Sequence, residues 1–171
     1  MKRLSSLLAT LLLIPINAPA DKDCEYIGSW FGYDSDGNIA WMSQANGKNS
    51  SQGTMLLELP GFDITFYGYF PDAVDSTANL KGTWKRTGGR SFSYAAMGFA
   101  TDSTGDAVWA ARLTGDVVVG EDCNTIAVDN TWLSFYQVDG GDPAPIWGEA
   151  PYIGPIPFAP HGGYRVELDN P

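Results

Sequence analysis

The chain holds one histidine, His161, and two cysteines, Cys24 and Cys123, which narrows the chemistry its side chains can perform. Ser-His-Asp and Cys-His catalysis would each have to use His161. It stands in Pro160-His161-Gly162-Gly163, read as a turn before a last strand, with no G-x-S-x-G elbow, H-E-x-x-H helix or Cys-x-x-Cys pair beside it. It is therefore read as a surface histidine. A transition-metal site would be nearly all carboxylate, a poor donor set for such ions, so neither a metal nor a cofactor is expected. Asp34-Ser35-Asp36-Gly37-Asn38 alternates oxygens as a calcium loop does, but its glycine falls at the wrong offset and no Glu closes it; a hairpin turn is the reading. Asn49-Ser50-Ser51 is a glycosylation sequon, meaningful only in a eukaryotic secretory pathway.

Two features could hold a ligand. In Trp84-Lys85-Arg86-Thr87-Gly88-Gly89-Arg90-Ser91-Phe92, a three-residue loop 87–89 would set Trp84 opposite Phe92 and Arg86 opposite Arg90. Like charges across a ladder repel, so an acidic group should lie between them. Either Glu121 and Asp122, in the turn at the same end, supply a rim salt bridge, or the two arginines hold a ligand carboxylate or phosphate. The second feature is an aromatic row, Tyr94, Trp109, Trp132 and Tyr136, with Asn130 as a polar member and Ala96, Gly98, Ala111 and Ser134 as small neighbours. Such a row is either plain core or a pocket for a small aromatic or lipidic ligand with one polar anchor. The candidate ligand-binding set is thus Trp84, Arg86, Arg90, Tyr94, Trp109, Asn130, Trp132 and Tyr136.

The elements that would position these residues follow from the rest of the 171 residues. Residues 1–20 carry Lys2 and Arg3, an apolar stretch from Leu7 to Ile16, and Ala18-Pro19-Ala20, the three parts of a secretory signal cleaved after Ala20. Cleavage removes two positive charges and no negative ones, so the net charge of −10 becomes still more acidic. That balance, with no basic stretch, excludes a nucleic-acid partner. No later apolar run is long enough to span a bilayer. A secreted or periplasmic location is expected. In an oxidising compartment an isolated cysteine pair reads as a disulfide, Cys24–Cys123.

From Cys24 to Val138 the pattern is of strands, read near 25–33, 39–46, 54–59, 62–69, 80–86, 90–100, 107–119 and 126–138, with a last short one at 164–168. Pairing Ala100 with Ala107 and Val119 with Ile126 puts Phe92, Tyr94, Ala96, Gly98, Trp109, Ala111, Leu113, Val117, Val128, Trp132 and Tyr136 on one face. Ser91, Ser93, Arg112, Thr114, Asp116, Asp129 and Thr131 fall on the other, broken by Val118, Leu133 and Phe135. The fold class is all-β: an antiparallel up-and-down meander closing into an eight-stranded barrel. An outer-membrane barrel is disfavoured because Arg112, Asp116 and Asp129 would meet lipid. Pro143, Pro145, Pro151, Pro155, Pro157, Pro160 and Pro171 hold most of the 11 prolines. Residues 139–171 are therefore read as a Pro-rich strap that runs extended on the barrel without sheet pairing, apart from its last strand. The division is signal peptide 1–20, barrel 21–138 and strap 139–171.

Gly28-Ser29-Trp30 resembles the G-x-W of lipocalins, and Gly82-Thr83-Trp84 repeats it. The stretch from Gly82 to Val138, with Trp84-Lys85-Arg86-Thr87-Gly88-Gly89-Arg90, is similar to exported bacterial barrels of calycin or allene-oxide-cyclase-like type. The resemblance implies an eight-stranded barrel with a central apolar cavity; the chain departs from lipocalins in lacking a T-D-Y-type motif and a helix after the last strand. Three functions stay open: a binding protein for a small hydrophobic or aromatic molecule, a barrel cyclase or isomerase using Tyr94 or Tyr136, and a structural envelope protein with a solid barrel.

Overall fold

Apolar and polar residues alternate with period two along the long strands, so each has one face to bury and one to leave in water. The computed structural model describes residues 24–33, 39–59, 76–77, 79–138, 150–157 and 161–166. They contain β1 (Gly28–Tyr33), β2 (Ile39–Asn49), β3 (Gln52–Glu58), β4 (Ser76–Thr77), β5 (Leu80–Gly88), β6 (Ser91–Thr101), β7 (Ala107–Val119), β8 (Thr125–Gln137), β9 (Ile153–Pro157) and β10 (His161–Arg165), and no helix.

β1, β2, β3, β5, β6, β7 and β8 form an antiparallel meander, and β10 closes it by pairing with β8 on one side and β1 on the other. The expected eight-stranded barrel is the observed one. Its eighth strand is the short final one, at His161–Arg165 rather than 164–168. The strand expected at 62–69 lies outside the described residues, and β3 pairs directly with β5 from Gln52↔Lys85 to Leu57↔Leu80. The expected turn at 34–38 also lies outside them, as does most of the proline-rich segment. One described part of that segment does pair: β9 lies on β8 through Leu133↔Ile156 and Trp132↔Pro157. Proline is tolerated there because among the described residues β9 has no strand on its other side, so a missing N–H breaks no ladder. β9 and β10 keep one register along β8, since Trp132↔Pro157 and Val128↔His161 are four residues apart on both strands.

Registers decide what faces inward. Ala100 pairs with Trp109 rather than Ala107, a two-residue difference that preserves the face, and Val119 pairs with Ile126 as expected. Between Thr114↔Trp132 and Asp116↔Asp129, however, β8 carries one more residue than β7, and Asn130 sits there at φ 48°. This bulge turns β8 over. Ile126 and Val128 are buried below it, and Thr131, Leu133 and Phe135 above it.

One end of the barrel is sealed by the segment that precedes β1. The β2–β3, β5–β6 and β7–β8 turns meet there, and the segment from Cys24 to Tyr26 crosses among them. Cys24 is bonded to Cys123 in the β7–β8 turn, with Cα atoms 5.2 Å apart. Tyr26, 2% exposed, drops into the interior, stacked on Trp30 at 6.0 Å, edge-on to Trp84 at 5.7 Å and tilted to Phe92 at 5.5 Å. Such ring clusters add to the area they bury, so this end is a solid plug.

Candidate functional site

At the plugged end the two arginines part company. The β5–β6 connection turns at Gly89-Arg90, with Gly89 at φ 44°, and the ladder slips between Arg86 and Gly88. Trp84 therefore faces Tyr94, and Arg86 faces Phe92, not Arg90 as the three-residue loop implied. Arg86 points inward, its guanidinium 5.2 Å from the centroid of Phe92. Its Nε donates to the Ser50 carbonyl and its Nη2 to the Cys24 carbonyl, each at 3.1 Å. Those bonds satisfy backbone oxygens where the chain crosses the barrel. Arg90 instead reaches Glu121 at 3.4 Å, and with Glu121 90% exposed this rim bridge contributes little.

The aromatic row divides at the β8 bulge. Trp84, Tyr94 and Trp109 are buried inside the barrel. Trp132 is 43% exposed, and Asn130 lies outside, where its Nδ2 donates to Asp116 Oδ2 at 3.0 Å. Tyr136 is buried in a separate cluster with Ala110 and Val138. The expectation that these three share the interior face is thus corrected: one extra residue in the strand exchanges them for Thr131, Leu133 and Phe135. Asn130 itself was the available signal, since asparagine is among the few residues that adopt a positive φ readily.

Beyond the plug, toward the end of the barrel away from the disulfide, the inward side chains of β6 become small. Gly98 faces Ala111 and Ala96 faces Leu113 across the ladder, with Ala100 opposite Trp109. Trp109 is fully buried, its ring 5.3 Å from that of Tyr152. Four steps around the barrel from β7 stands Trp41 on β2, 6% exposed. Its indole lies over Gly32 and Gly163, where any Cβ would strike the ring. Trp41 Nε1 is buried and has no hydrogen-bond acceptor among the described residues. His161 opens β10 half-buried, its ring 5.7 Å from that of Trp41, and so belongs to the barrel wall rather than to a surface turn. Neither Trp41 nor Tyr26 figured in the expected site.

Two tyrosines put hydroxyls into this interior. The Tyr94 hydroxyl lies 3.5 Å from Thr131 Oγ1, and burial pushes its pKa up, with Thr131 opposing and Asp116 adding to the rise. Burial raises Tyr26 as well, with Ser43 opposing. Both phenols are held neutral, which suits donating a hydrogen bond and not losing a proton.

The outer wall carries an open depression of about 990 Å3 beside the β2–β3 hairpin, floored by β5 and β6. Among the described residues no group of three or more His, Cys, Asp or Glu could hold a metal ion. No family model matches this chain, and no curated protein or solved structure matches it.

Proposed function

We propose that the chain is an exported binding protein for a small hydrophobic or aromatic molecule, taken up at the end of the barrel away from the disulfide. The observation that carries this reading is the change in side-chain size along β6, with Ala111 of β7 beside its small residues. Large rings fill the interior beside Tyr26, whereas Ala96, Gly98, Ala100 and Ala111 stand together beyond Tyr94. Small residues on adjacent strands, walled by Trp109, favour an apolar recess. The signal-like first twenty residues and the Cys24–Cys123 disulfide support export.

Native mass spectrometry of the chain, purified gently from an oxidising compartment, tests this reading. One retained small molecule per chain is expected, and it should be lost from an Ala111→Phe variant that keeps a cooperative thermal transition. Only the bare polypeptide mass in wild type, or retention undiminished in the variant, would count against it.

A second reading, a structural protein with a solid barrel, is favoured by packing: Trp30, Trp84, Trp109, Phe92 and Phe135 are each under 2% exposed or at that limit. The cyclase or isomerase reading draws less support, because Tyr94 is shifted away from the range in which it would exchange a proton near neutral pH.

A further inference from the structure

We propose that the outer depression beside the β2–β3 hairpin is a binding site for a sugar acid, most simply one unit or a few of a uronate polymer. It is independent of any ligand inside the barrel. Its volume of about 990 Å3 lies at the upper end of the roughly 300–1,000 Å3 of small-molecule sites. The amides of Asn46, Asn49 and Gln52 and the Thr83 hydroxyl reach it over a surface that is mainly apolar carbon, with Lys48 and Lys85 as the charged groups.

The charge pattern points to the ligand. In a chain with 20 Asp and Glu against 10 Lys and Arg, no carboxylate among the described residues lines this depression. Neither lysine has a carboxylate partner among the described residues. The nearest acid along the strand row is Asp116, beyond Ser93. Its oxygens are already engaged, Oδ1 accepting from Ser93 Oγ at 2.7 Å and Oδ2 from Asn130. Two unpaired ammonium groups suit carboxylates as point charges, and the neutral amides and hydroxyls suit sugar hydroxyls. The apolar part of the lining suits the C–H faces of sugar rings, and a nucleic acid would be repelled by the remaining surface. At 0.15 M salt the Debye length is about 8 Å, so the remote acids are screened while contacts inside the depression persist.

Affinity electrophoresis at 0.15 M salt, with polygalacturonate, neutral dextran or dextran sulfate in the gel, tests the proposal. Wild type should be retarded by polygalacturonate and not by dextran. Lys48→Gln with Lys85→Gln should weaken that retardation at least tenfold at an unchanged thermal midpoint, while Arg90→Gln, outside the depression, should leave it intact. Absence of retardation, equal retardation of the double variant, or stronger retardation by dextran sulfate than by polygalacturonate would overturn the assignment.

Discussion

Replacing both Cys24 and Cys123 with Ala removes a link that spans 99 residues of sequence. In the chain-entropy model, a closed loop of about 100 residues withholds about 4.7 kcal/mol of conformational freedom from the unfolded chain. Residual structure in the unfolded state trims this, so a loss of about 3–5 kcal/mol is expected. For a chain of this size, each kcal/mol is worth about 2–4 °C, so the thermal midpoint should fall by roughly 6–20 °C. The native barrel supplies its own reason for the link. Cys24 leads directly into Tyr26, and the Arg86 guanidinium binds the Cys24 carbonyl, so the staple fixes the segment that fills the barrel end. Urea unfolding of wild type and of the double variant is the assay, followed by intrinsic tryptophan fluorescence and circular dichroism. The denaturant slope should also rise, because an unlinked unfolded chain exposes more surface. A loss below about 1 kcal/mol with an unchanged slope would refute the reasoning and would mean that Tyr26 packing alone holds the barrel end.

The other predictions concern single side chains. Trp30 Nε1 donates to the Tyr26 carbonyl at 2.8 Å, whereas Trp41 Nε1 has no acceptor among the described residues. Trp30→Phe should therefore cost about 1 kcal/mol or more beyond Trp41→Phe in urea unfolding; equal losses would contradict the assignment. Asn130→Gly should keep the β8 bulge, while Asn130→Val, forced to φ near 48°, should cost about 1–3 kcal/mol. Similar stability of the two would argue against the left-handed residue. Burial raises the Tyr26 and Tyr94 pKa values, so the unfolded chain loses those protons first. Their contribution is complete below the ordinary tyrosine value of about 10 and is lost as pH rises beyond it. Tyr26→Phe should flatten that alkaline decline in pH-dependent unfolding, and an unchanged slope would remove Tyr26 as its source.

What the sequence made legible follows from how local each signal is. Strand existence rests on period-two alternation, and β7 at Ala107–Val119 matches its expected bounds because thirteen residues of alternation leave little freedom. Register is less local. The Ala100 pairing was off by two residues without harm, since parity alone sets the face. The bulge at Asn130 was the costly omission. A single added residue reverses parity, and it moved Trp132 and Tyr136 out of the interior and Leu133 and Phe135 into it. The interruption of the polar face by Leu133 and Phe135 was the sign that the register changes there.

Closure of the barrel was expected, but the bounds of the strand that completes it and the pairing of β9 were hidden for a different reason. Its last strand is only five residues, and the neighbouring β9 contains two prolines, so neither has a strong strand pattern. Both are defined by β8, whose full length offers a ladder that propensity along the chain does not reveal. Tyr26 was missed because it precedes β1 and owes its burial to the barrel around it. The disulfide was readable from composition and the expected compartment, and the candidate site was only half readable: Trp84, Tyr94 and Trp109 face inward, while Arg86 serves the chain crossing and Arg90 the rim.

The central claim is that one end of the barrel is plugged and the other admits a ligand. It is tested most directly by fluorescence titration with N-phenyl-1-naphthylamine, a neutral aromatic probe, on wild type and Ala111→Phe side by side. The account predicts saturable one-to-one binding by wild type and loss of at least tenfold in affinity in the folded variant. Absence of saturable binding, or equal binding by both proteins, would contradict it and leave the solid barrel.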